Sequence, residues 1–148
     1  MLRFSILTIC VSLAFVTCIK ARTPLLVIIP EGYVGWVRIE YSVPEEPPLQ
    51  RQDGQYLIMI PSSGIVRTSS EFENGFADDK YYYVDARGQK KELKEASQPD
   101  SPEGMIRARQ MFGIGAPAQK ERTFWAFYVG TEANYQTASK DPKTLPLP

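Results

Sequence analysis

The sequence predicts a mainly β protein, an antiparallel β-sandwich or small barrel with one short helix; a mixed α+β sheet is the alternative. Three observations predict it. Short runs rich in Val, Ile, Tyr, Phe and Trp recur at roughly 8–12-residue spacing. Turn signals built from Gly, Pro and Asn separate these runs. A single stretch carries a helical period, and it is weak.

The elements follow in order. Leu25 to Ile29 is an unbroken aliphatic run closed by Pro30-Glu31-Gly32, the pattern of a strand entering a turn. In "GYVGWVRIEY" the chain alternates, with Gly35, Val37, Ile39 and Tyr41 on one face and Trp36, Arg38 and Glu40 on the other. Gly32 and Gly35 suggest a phosphate-cradling loop, but such a loop needs a helix N-terminus directly after its glycines, and Val37 to Tyr41 is strand chemistry. Gly35 therefore marks a bulge, or a place where Trp36 or a neighbouring strand needs room. The Pro-rich, charged "SVPEEPPLQRQDG" is an exposed loop ending in an Asp53-Gly54 turn. "QYLIMIP" is apolar on both faces, which predicts a central strand buried on both sides.

"SSG" then reverses the chain into "IVRTSS", a short strand, and Glu71 to Asp79 is polar with Asn74-Gly75 as a turn signal. "KYYYVD" and "QKKEL" form a hairpin over Lys80–Leu93 about Gly88, its second arm charged enough to be an edge. After the loop "EASQPDSPEG", Met105, Ile106, Arg109 and Phe112 carry the helical period, with Ser101-Pro102-Glu103 as N-cap and first turn. "RTFWAFYVG" is the last strand, with Trp125, Phe127 and Val129 on one face.

Three segments organise the chain: a leader over residues 1–21, one β-rich domain over 22–139 and a flexible Pro-rich tail over 140–148. Between Arg3 and Lys20 the leader is uninterrupted apolar or small, of signal-peptide length and short for a transmembrane helix. It supports three outcomes: cleavage after Ala21, lipid modification of Cys18, or retention as an anchor. Both cysteines, Cys10 and Cys18, lie in the leader, so the domain has no disulfide to form. The chain has 17 basic and 17 acidic residues; losing Arg3 and Lys20 with the leader gives −2, no electrostatic reason to bind nucleic acid. Histidine is absent. That removes the commonest general base and metal ligand, disfavours a conventional hydrolase, and predicts no metal and no cofactor.

The motifs "IPEGYVGWVRIEY", "IPSSGIVRTSS", "YYYVDARG" and "FYVGT" resemble a family of small exported bacterial proteins carrying a domain of unknown function. The likeness covers about Ile28 to Thr131. It implies a periplasmic, envelope-anchored or secreted location in a bacterium, and it transfers no catalytic residue.

Among candidate sites, Ser62-Ser63-Gly64 lacks a base, since Arg67 stays protonated, and reads as a turn. Asp78, Asp79 and Asp85, with Glu71 and Glu73 nearby, lack calcium-loop spacing and read as a solvated acidic region. The aromatics carry the strongest hint. Tyr82 must face opposite to Tyr81 and Tyr83, and Trp36 shares a face with Arg38, so these five residues are the expected ligand-binding set. The reading is a non-enzymatic binding or structural module of the bacterial envelope, with envelope glycan or protein as partner and membrane contact through the leader. Its rivals are a histidine-free, carboxylate-dependent glycan hydrolase and a small inhibitor or immunity-type protein.

Overall fold

The computed structural model describes residues 21–93, 105–107, 113–114 and 123–140. Residues 1–20 of the leader, Cys18 among them, the loop following Leu93, and residues 141–148 of the tail lie outside the described residues. Ten strands and one helix are described: β1 (Leu25–Pro30), β2 (Gly35–Glu40), β3 (Gln50–Gln52), β4 (Gln55–Met59), β5 (Ile65–Arg67), β6 (Lys80–Val84), β7 (Lys90–Leu93), β8 (Met105–Arg107), β9 (Gly113–Ile114), β10 (Thr123–Gly130) and α1 (Glu132–Ala138).

The strands form two sheets. One runs β3-β4-β1-β6-β7; the other runs β5-β2-β10-β8, with β9 also on β10. Val27 and Ile29 of β1, Ile58 of β4, Tyr81 of β6 and Leu93 of β7 meet Val37 and Ile39 of β2 and Trp125, Phe127 and Val129 of β10 in one buried cluster. The protein is therefore a mainly β sandwich with a single short helix, not a closed barrel. Fully burying each such side chain contributes roughly 1.5–3 kcal/mol. The register read for β2 holds: Val37 and Ile39 are fully buried and Tyr41 nearly so.

The sheets are mixed rather than purely antiparallel. β1 is parallel to both β4 and β6, and β5 is parallel to β2. The cause is the route of the chain. After β1 it crosses to the second sheet as β2, returns as β3 and β4, crosses again as β5 and returns as β6. Each return brings a strand beside β1 by a crossover instead of a tight hairpin. The hairpin over Lys80–Leu93 forms as read, with Val84 opposite Lys90 and β7 at the sheet edge.

Two local expectations are corrected. β4 is interior in its sheet but covered on one face: Ile58 is 1% exposed, whereas Met59 is 69% exposed. Met105–Arg107 is a strand, not the start of the expected helix; Arg109 and Phe112 lie outside the described residues. One edge of β10 is taken by β2, leaving the amides and carbonyls of the other edge in need of partners, and β8 supplies them by pairing Met105–Arg107 with Tyr128–Gly130. That ladder outweighs a weak local period.

The helix stands instead at Glu132–Ala138, opened by a capping box in which Thr131 Oγ1 accepts from the Asn134 N–H at 3.1 Å and the Asn134 side chain accepts from the Thr131 N–H at 3.3 Å. Gly35 adopts φ +150°, and a Cβ there would meet Tyr33 at ordinary contact distance, so its backbone angle rather than crowding explains it. Crowding belongs to Gly64. At φ +72° a Cβ would overlap the Tyr33 hydroxyl and the Trp36 carbonyl oxygen.

Candidate functional site

One end of the sandwich is open. The starts of β1, β4 and β10, the residue after β2 and the residue before β6 all come to that end. There they meet residues 22–23 and the 71–79 segment around a cleft of about 360 Å³. Its walls are aromatic: Tyr41, Tyr56, Phe72 and Trp125, with Phe76 at the rim. Tyr41 and Phe72 meet edge to face at 5.3 Å. Phe76 is 76% exposed although the chain holds it in place, its carbonyl accepting the Arg22 N–H at 3.2 Å beside a bridge between Ala21 and Phe76.

The polar groups of the cleft are tied to one another. Arg22 grips Asp79 with two nitrogens: Nη1 donates to Oδ1 at 2.9 Å and Nη2 pairs with Oδ2. The Leu25 N–H also donates to Asp79 Oδ1 at 2.9 Å, and Arg22 Nε donates to the Gly75 carbonyl at 3.2 Å. Glu73 accepts the Thr23 N–H at 2.9 Å and the Tyr56 hydroxyl at 3.0 Å. Those donors, the Thr23 backbone first, hold the Glu73 carboxyl below its ordinary value. Burial pushes the Tyr41 hydroxyl well up, with Asp79 and Glu73 adding to the effect and Arg22 opposing it. Tyr41 is thus a neutral donor at any ordinary pH. Trp125 is 6% exposed, and its indole N–H is buried with no hydrogen-bond acceptor among the described residues.

The five residues expected to bind ligand fall on separate surfaces. Tyr81 is 2% exposed and sits in the core against Phe127, ring centroids 5.5 Å apart. Tyr83 is half-buried and donates its hydroxyl to the Tyr33 carbonyl at 2.6 Å. Tyr82 faces the other way, with Lys90 Nζ 5.8 Å from its ring.

Trp36 and Arg38 lie on the outer face of the second sheet, and that face is largely covered. Trp36 packs edge to face on Tyr128 at 5.4 Å and on Tyr135 of α1 at 5.9 Å. Arg38 lies 4.6 Å over the Phe124 ring and pairs with Glu40 at 3.0 Å, while Arg67 grips the same carboxylate at 3.0 Å. Of the acidic group, Asp79 is occupied by Arg22, Asp78 is exposed, and Asp85 lies beyond the far end of β6, accepting the Arg87 and Gln89 N–H groups at 2.8 Å. Ser62-Ser63-Gly64 is a turn, closed by the Gly64 N–H on the Pro61 carbonyl at 2.9 Å.

Sequence reasoning missed the cleft because its walls come from five distant segments. One local signal was available. Phe72 and Phe76 interrupt an otherwise polar acidic segment, where loop chemistry alone gives no reason for two aromatics.

A family model described as "Family of unknown function (DUF6843)" matches residues 21–138, and the chain belongs to that family. No curated protein matches it significantly. Among solved structures, a protein of Bacillus anthracis named "Putative Lipoprotein" superimposes with a TM-score of 0.59 over 84% of this chain and 82% of the other, at 23% sequence identity. The likeness is one of fold.

Proposed function

We propose that this member of a family of unknown function is an exported bacterial envelope protein acting as a non-catalytic binding module, with the cleft at the open end of its sandwich as the binding surface. One observation carries the reading: an aromatic-walled cleft in which two of the three lining carboxylates, Glu73 and Asp79, are held as acceptors while the third, Glu71, is exposed. A glycan hydrolase needs a carboxyl kept protonated near neutral pH to protonate its leaving group. Here Glu73 is pushed towards the ionised form and Asp79 is clamped by Arg22, which suits binding better than acid catalysis.

Export is supported by the apolar leader and by the fold shared with a protein named as a lipoprotein. Either a lipid on Cys18 or cleavage after Ala21 leaves Arg22 and Thr23, which line the cleft, within a few residues of the chain's start. In this proposal Trp36, Arg38, Tyr81 and Tyr83 serve as framework, and Tyr82 is a separate surface contact.

Fractionation of a bacterial host expressing the full chain tests export: the protein is expected outside the cytoplasm, and Cys18→Ala is expected to release it from membrane if the lipid form is made. Binding is tested by hydrogen exchange. Adding isolated envelope material is expected to slow exchange in residues 71–79 more than in the hairpin at 80–93. Unchanged exchange at 71–79 would refute the cleft as the binding surface.

A further inference from the structure

We infer that the cleft takes an uncharged, hydroxyl-rich ligand, a short run of carbohydrate stacked on Phe76. The inference rests on the reading of the cleft as the binding surface and names what it binds. The chemistry of the lining selects the class by elimination. Glu71, Glu73 and Asp79 outnumber the cations beside them: Arg22, whose guanidinium is already spent on Asp79 and two backbone carbonyls, and Arg51, whose Nη2 donates to the Tyr56 hydroxyl at 3.2 Å. An anion meets net repulsion there. A cation satisfies the carboxylates but offers nothing to the Tyr41 hydroxyl, a donor that burial keeps protonated. A hydroxyl group both donates and accepts, so one polyol meets both halves of the site.

Acceptor capacity remains for it. Glu73 uses one bond on each oxygen, to the Tyr56 hydroxyl and the Thr23 N–H, and an ionised carboxylate offers about four acceptor positions. The aromatic rim completes the match. Phe76 is more exposed than any other large apolar side chain described, and its carbonyl is pinned by the Arg22 N–H at 3.2 Å. A fixed, exposed ring beside polar groups is a stacking surface for the C–H face of a sugar. The volume, about 360 Å³, lies at the small end of the roughly 300–1,000 Å³ typical of ligand sites.

The test titrates the full chain, in mild detergent, with three neutral saccharides: a β-1,4-linked N-acetylglucosamine tetramer, cellotetraose and maltotetraose. Tetralysine and tetraglutamate serve as charged controls. Calorimetry and tryptophan fluorescence report, since Trp125 lines the cleft. At least one saccharide is expected to bind saturably and neither peptide to bind. Phe76→Ala should weaken binding about three- to tenfold, the size of one lost stacking contact. Phe76→Tyr should restore it, and the exposed position should leave the urea midpoint of both variants at that of the parent.

Failure of all three saccharides, or equal saccharide affinity in Phe76→Ala, overturns the inference. Phe76-dependent binding of tetralysine overturns the carbohydrate class while leaving the binding-module reading standing. A concentration-dependent dimer abolished by Phe76→Ala overturns it as well, because the ring would then serve self-association. Absence of every ligand together with unchanged exchange at 71–79 removes both readings.

Discussion

Arg38 and Arg67 grip the same carboxylate at the same distance, yet their removal is expected to have unequal consequences. Glu40 is 8% exposed, with Arg38 Nη2 at 3.0 Å from one oxygen and Arg67 Nε at 3.0 Å from the other. The Arg38 side chain is 15% exposed and the Arg67 side chain 53%. Removing one partner of a buried pair costs about 3–5 kcal/mol, because a charge is left uncompensated in a poorly solvated site. In Arg38→Ala the Arg67 contact remains and reduces that cost. Loss of the guanidinium over Phe124 adds roughly 0.5–2 kcal/mol. The expected net is about 3–6 kcal/mol.

Arg67→Ala removes an exposed partner and should cost about 0.5–1 kcal/mol. With a urea slope of about 1–3 kcal/mol per molar, the first shift is expected to be molar in size and the second a fraction of that. Glu40→Gln in the Arg38→Ala background should recover part of the loss by removing the buried charge, and added salt should weaken the Arg67 contribution more than that of Arg38. Equal midpoints for the two alanine variants, or a larger effect at Arg67, would refute this account of the outer face.

Gly64→Ala is expected to destabilise by at least about 2 kcal/mol, combining a left-handed backbone with overlap on Tyr33 and Trp36. Gly54→Ala, at φ +79° with open space around it, should cost only the backbone part, about 1–2 kcal/mol, so the difference between their thermal midpoints isolates the crowding. Val37→Asp places an unpartnered carboxylate at a fully buried position and should prevent folding by circular dichroism. Trp36→Ala should leave the core intact but cost about 1–3 kcal/mol and speed amide exchange in α1, because Trp36 and Tyr128 are what Tyr135 packs on. Glu73 supplies a pH signature. Its folded-state value is lowered, so its stabilisation is present above the ordinary Glu value and is lost as pH falls through the folded one. The urea midpoint should drop on acidification across that window, and Glu73→Gln should flatten the drop.

Much of the secondary structure was legible because it follows from local pattern. β2 shows its period of two, and its inward residues Val37, Ile39 and Tyr41 are the ones the structure buries. The hairpin over Lys80–Leu93 and the turn at Ser62–Gly64 follow from glycine placement and strand propensity. The terminal helix was missed because its one strong mark is a capping box closed by Asn134 rather than Glu or Gln, and because seven residues carry little periodicity. The assignment of Trp36 and Arg38 to the side of β2 opposite Val37 and Ile39 was a correct reading of the alternation. It was not a statement about exposure, since α1 and the β10 ring of Phe124 reach over that side.

By itself the sequence determined the strand-rich class, the direction in which each β2 side chain points, the absence of histidine chemistry and the family likeness. These depend on residue type and on neighbours one to four positions away. The tertiary structure decided what depends on distant neighbours. It set β1 parallel to both its partners, because the chain passes through the other sheet between visits. It made Met105–Arg107 a strand, because β10 had a free edge to satisfy. It also closed Arg22 on Asp79 and Thr23 on Glu73, pairs 57 and 50 residues apart, which place Phe76 at the rim of a cleft. No local rule reaches across such separations, since the loop entropy they cost is recovered only when the whole core forms.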